Sequence, residues 1–163
     1  MTDTALLVMD LQRDFLEENG RMPVGKNDAD PVIASANRLL KHAESAGWLQ
    51  VFIKNEYRKA DWIGNLFRKG AAIEGSIGAE IDPRIPLPTG ALVVSKAKPD
   101  AFTNLALAEI LRGAGIRIPV GVYPIEPECG TAVLSVVLCD RPSAHLSTPG
   151  SSPTFPVCDM AQS

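Results

Sequence analysis

The chain is poor in the residues that build metal and disulfide sites. Its two histidines, His42 and His145, show no H-x-H or H-x-x-x-H spacing, so a metal site built on imidazole is not expected, and only one made of carboxylates stays open. Its three cysteines, Cys129, Cys139 and Cys158, cannot all pair within one chain and form no C-x-x-C motif, which argues against a disulfide scaffold and against structural zinc. No apolar run approaches the length of a membrane span, and residues 1–9 lack the basic start of a signal peptide, so a cytoplasmic protein without a membrane partner is expected. Positive charge is not in excess. A net charge of -3 offers no footprint for nucleic acid. Nor does a glycine-rich phosphate loop follow the first apolar run, where Leu11-Gln12-Arg13-Asp14 stands instead; this speaks against a nucleotide-binding module.

What is present suits one globular domain. With 45% hydrophobic and 21% charged residues in 163, the chain can bury a substantial core. Residues 1–140 are expected to form that domain and residues 141–163, rich in Ser, Pro and Thr, an irregular tail. The opening run Ala5-Leu6-Leu7-Val8-Met9 predicts a strand buried on both faces, as at the centre of a parallel sheet. Asp10 ends it, at the edge where open α/β sheets place their ligands. Asp30-Pro31 predicts a helix start, and Val32, Ile33, Ala36, Leu39, Leu40 and Ala43 recur at helical spacing up to Gly47, a natural residue just past a helix end. His42 then falls in the last turn, where a cation suits the dipole. Residues 49–53 read as the second strand, completing a βαβ unit.

Residues 54–88 carry few periodic signals beyond a short apolar face of Trp62, Ile63, Leu66 and Phe67. Such a segment at the carboxyl end of a strand is where substrate-covering loops tend to lie, and Phe15, Tyr57 and Trp62 are the candidate pocket-lining residues. Residues 91–95 predict the third strand, ended by Lys96, which places a cation at the same sheet edge as Asp10. A helix over 101–113 and a fourth strand over 116–122 follow, the latter weakened by Pro119. Residues 131–138 are apolar enough for a buried helix or a strand.

An acid after the first strand, a lysine after the third and a cysteine after the fourth form a set that resembles the isochorismatase-like cysteine hydrolases. ALLVMDLQRDF is similar to the family's opening strand and acid, which carries over to Asp10. VVSKAKPDAF is similar to its second signature, and the six-residue spacing to Phe102 selects Lys96 over Lys98. Cys129, after GVY and before TAVLS, is the matching thiol. Gly121 and Cys129 stand eight residues apart, with Pro124 and Pro127 between them, more than in the family. Beyond Leu138 the family pattern stops, as expected of a chain whose reading frame changes, or which is rearranged, somewhere after Ile116.

The resemblance implies a three-layer α/β fold with a mostly parallel open sheet of order 3-2-1-4, its strands 5 and 6 missing or altered. It further implies a hydrolase of a small-molecule amide bond that needs no cofactor, and commonly a homo-oligomer. In that chemistry Cys129 is the nucleophile, Asp10 the general base and Lys96 the cation, joined by the dipole of residues 130–138 if these are helical. Nicotinamidases in the family carry a metal site of aspartate and histidines after the second strand; Asn55 to Asp61 contain no histidine here, so no metal is expected. The alternative is a catalytically impaired relative that keeps the fold as a binding or non-functional protein. Strand 4, left as an edge, predicts pairing with a partner or poor solubility.

Overall fold

A computed structural model describes residues 4–25, 27–98, 100–116 and, as backbone, 136–140. The element order is β1 (Thr4–Met9), α1 (Arg13–Leu16), α2 (Ala29–Ser45), β2 (Leu49–Asn55), α3 (Trp62–Phe67), β3 (Leu92–Lys96), α4 (Leu105–Gly113) and β4 (Val136–Asp140). The sheet order is β3-β2-β1-β4. Strands β1, β2 and β3 run parallel, with Met9 opposite Ile53 and Asn55 opposite Lys96. Their carboxyl ends therefore form one edge carrying Asp10, Asn55 and Lys96.

The buried run of β1 follows from a layer on each side. Ala5, Leu7 and Met9 join Val51, Ile53 and Val94 on one face, covered by Leu107 and Leu111 of α4. Leu6, Val8 and Phe52 face the other way, onto Ile33, Ala36, Leu40 and Ala43 of α2. The alternation has the strand period of two and the helices supply the 3.6-residue stripe; full burial of each large side chain stabilises by about 2 kcal/mol. The result is the three-layer α/β arrangement. Both helices end in the same motif. Gly47 and Gly115 take positive φ, while Trp48 N–H donates to Ala43 O and Ile116 N–H to Leu111 O, closing the last turn. His42 packs edge-on against Trp48 at 5.1 Å between ring centroids.

Several expected boundaries move. The helix after the first strand starts at Ala29, not Asp30: the Asp28 carbonyl already accepts from Val32 N–H at 3.2 Å, and Asp30 lies in the first turn. The helix expected over 101–113 is split, because Asn104 bends out of helical geometry and caps α4 by accepting from Ala106 N–H at 2.9 Å. A 3-10 turn, Ala101–Thr103, precedes it.

The far side of β1 differs more. Its neighbour there is β4, antiparallel, with Leu6 opposite Leu138. The fourth strand expected over 116–122 lies, beyond Ile116, outside the described residues, as do the 141–163 tail and most of the 131–138 segment. Residues 136–138 are strand, so the helix considered over 130–138 does not extend through them. Val136-Val137-Leu138 is apolar and led by two β-branched valines, suited to pairing with the open flank of β1. None of the described helices is long and apolar enough to cross a membrane.

Candidate active site

The site begins where β1 stops. Asp10 N–H still donates to Ile53 O at 2.9 Å, but Asp10 itself turns to φ 65°, a left-handed conformation that costs a non-glycine residue about 1 kcal/mol and that aspartate tolerates better than most. Backbone strain of this kind concentrates at functional positions. The turn lifts the carboxylate over the carboxyl edge of the sheet. There Lys96, the last residue of β3, places Nζ 3.2 Å from Asp10 Oδ2. Both are held close to the core: Lys96 is 6% exposed. Burial pushes the Asp10 carboxyl above its ordinary range, and the charge and hydrogen bond of Lys96 work in the opposite direction without cancelling it. A carboxyl so placed holds its proton more tightly than a free one, which suits a group that takes up a proton and returns it.

Asn55, at the end of β2, donates from Nδ2 to Asp10 Oδ1 at 2.7 Å. Sequence reading did not single it out; the signal available was its position, the end of the strand between those carrying Asp10 and Lys96. Gln12, fully buried, pins the Asn55 peptide. Its Oε1 accepts from Asn55 N–H at 2.7 Å, and its Nε2 donates to Asn55 O at 2.8 Å and to Ala79 O at 2.7 Å.

Of the three pocket-lining candidates, Tyr57 is the one that feels the charge of Asp10. Burial raises its phenol above the ordinary range, Asp10's negative charge adds to that, and Arg68 opposes it. The Arg68 guanidinium stacks over the Tyr57 ring at 3.8 Å. Phe15 lies half-buried in α1. Trp62 is on α3, whose apolar face points outward: Trp62 is 72% and Phe67 82% exposed. Cys129 lies outside the described residues.

The acids after β2 are already engaged. Glu56 accepts from Ser95 Oγ at 2.6 Å and pairs with Lys54 Nζ at 3.0 Å. Asp61 caps α3 and pairs with Arg68 Nη2 at 2.6 Å. Among the described residues no three His, Cys, Asp or Glu side chains stand together. These residues do not fit a metal ion.

The family model described as Isochorismatase domain matches residues 4–120. The chain belongs to this family. It is 26% identical over 166 residues to an Arabidopsis thaliana protein named as a probable inactive nicotinamidase, a match covering 94% of this chain and 83% of that protein. The structure is similar to the Pyrococcus horikoshii pyrazinamidase in complex with zinc, at TM-score 0.55 and 31% identity, over 68% of this chain and 64% of that one. It is also similar to an isochorismatase family protein from Desulfovibrio vulgaris, at TM-score 0.58 and 25% identity, over 68% and 61%. The matched part of the chain thus spans less than two thirds of these solved relatives. With amidases among its neighbours, the isochorismatase family is hydrolytic.

Proposed function

We propose that this isochorismatase-family chain hydrolyses a small-molecule amide bond with Cys129 as nucleophile, Asp10 as proton shuttle and Lys96 as the cation that favours the thiolate. The observation that carries the reading is the Asp10–Lys96 contact at the sheet edge, with the Asp10 carboxyl raised by burial. In this chemistry Asp10 takes the Sγ proton and the thiolate attacks the carbonyl carbon. The tetrahedral oxyanion collapses, the C–N bond breaks, and Asp10 returns the proton to the leaving amine. Asp10 then deprotonates a water, which cleaves the thioester and frees the acid. A thiolate needs a nearby positive group to form at neutral pH; Lys96 supplies it, since residues 136–138 are strand and lend no helix dipole.

A second reading has support of its own. The eight-residue spacing from Gly121 to Cys129, with Pro124 and Pro127 inside it, and the Arabidopsis relative's name, favour a catalytically impaired relative acting as a binding or non-functional protein. Ammonia release from a panel of small primary carboxamides separates the two. The hydrolase reading expects turnover that falls at least about 100-fold in Asp10→Asn and vanishes in Cys129→Ala. No release by the unmodified chain across the panel supports the impaired reading.

A further inference from the structure

Asp10 is held from two sides, and only one hold is ionic. Lys96 Nζ reaches Oδ2; the Asn55 amide reaches Oδ1, at the shorter distance of 2.7 Å. Asn55 is 5% exposed, and its own Oδ1 is buried without a hydrogen-bond partner among the described residues. A buried acceptor left unsatisfied is unfavourable, and an apolar side chain would avoid that cost. What the amide supplies in return is its donor to the carboxylate. Its aim is also fixed. Gln12 grips both the N–H and the carbonyl of Asn55, so the two peptide groups flanking the Cα from which the side chain leaves are both held.

We propose that Asn55 is a positioning residue for Asp10, held in place by Gln12: the amide fixes the orientation of the carboxylate and favours its ionised form. The role rests on the reading of Asp10 as proton shuttle. A donor on the charged form makes a carboxylate a weaker base, while burial makes it a stronger one; Asn55 and Lys96 together keep Asp10 able to release as well as accept a proton. Among the described residues the charged and titratable groups at Asp10 are Lys96 from β3 and, from the segment after β2, Tyr57 with Arg68 stacked on it. Asparagine suits the position where aspartate would not. A second carboxylate at hydrogen-bond distance would force the two to share a proton.

The test follows the Asp10 carboxyl by carbon NMR in the full chain labelled at aspartate carboxyls, the signal assigned by its loss in Asp10→Asn. Asn55→Ala is expected to shift the Asp10 titration upward. Asn55→Asp, nearly equal in size, is expected to shift it further and to couple it to a second titration. Cooperative melting of each variant shows that it is folded. In parallel, the pH profile of Cys129 alkylation is expected to move with the Asp10 titration, with labelling near neutral pH slowed about tenfold. A wild-type Asp10 curve in both folded variants overturns the proposal. Inert Cys129 together with shifted Asp10 curves supports the positioning role and removes the hydrolase reading instead. Alkylation that depends on Asp10 and Lys96 but is unchanged in both Asn55 variants overturns the positioning role alone.

Discussion

The sheet edge around Asp10 and the Asp82–Arg84 strut each hold a carboxylate beside a cation, yet the two acids move in opposite directions. Asp82 is fully buried. Burial pushes its carboxyl up, but the side-chain hydrogen bonds of Arg84, the Arg84 backbone N–H and the guanidinium charge outweigh that and hold it below the ordinary range. Arg84 contributes Nε at 2.9 Å and Nη2 at 2.8 Å, and still donates to Leu16 O at 2.9 Å. Asp10 receives one ammonium at 3.2 Å and stays above its ordinary range. Asp82 is fully buried and Asp10 partly so, and both have a cation, so the presence of a cation does not separate structure from chemistry. The number and fit of the donors does. The strut locks its acid in one charge state, while the sheet edge leaves its acid able to change.

Removing the strut has the largest expected effect. Arg84→Ala leaves the buried Asp82 carboxylate without its counter-ion, holding only the backbone N–H of residue 84, and a loss of about 2 kcal/mol in denaturant unfolding is expected. A loss within a few tenths of a kcal/mol would mean that Asp82 is not the locked acid described here. A smaller effect lies in the pH dependence of stability, where the two regions should slope in opposite senses. Asp82, lowered in the folded chain, contributes stability that is present above its ordinary value of 3.8 and lost as pH falls through the folded value. Asp10, raised in the folded chain, binds its proton more tightly folded than unfolded, so it favours folding at low pH. That contribution is lost as pH rises from 3.8 through the raised folded value. Unfolding free energies of wild type and Asp10→Asn, compared between pH 4 and pH 8, should therefore show wild type losing ground to the variant as pH rises. A difference that is flat, or slopes the other way, removes the distinction between the regions.

How much of this was legible in the sequence depends on the kind of signal. Asp10 and Lys96 could be placed at one sheet edge because each directly follows an apolar run, and parallel strands put such ends together. Asn55 carried no comparable mark, since an amide at a strand end has no distinctive chemistry until its partner is known. Gln12 stood out only as part of a stretch that is no phosphate loop, and the fold alone shows its amide tying β2 to the 3-10 turn Ile77–Ala79. In α3 the apolar residues fall at helical spacing, but that spacing does not tell which way a short helix faces, and Trp62 and Phe67 face outward. β4 was ambiguous for another reason. Val136-Val137-Leu138 fits a strand or a buried helix equally by periodicity, and pairing with the open flank of β1 decides it.

The central claim is that the Asp10–Lys96 edge serves a thiol, and the alkylation rate of Cys129 tests it most directly. Iodoacetamide labelling at neutral pH, read site by site by mass spectrometry, should modify Cys129 faster than Cys158, with the rate falling at least about tenfold in Asp10→Asn and in Lys96→Ala. Cys129 labelling no faster than Cys158, and at an unchanged rate in both variants, would contradict it.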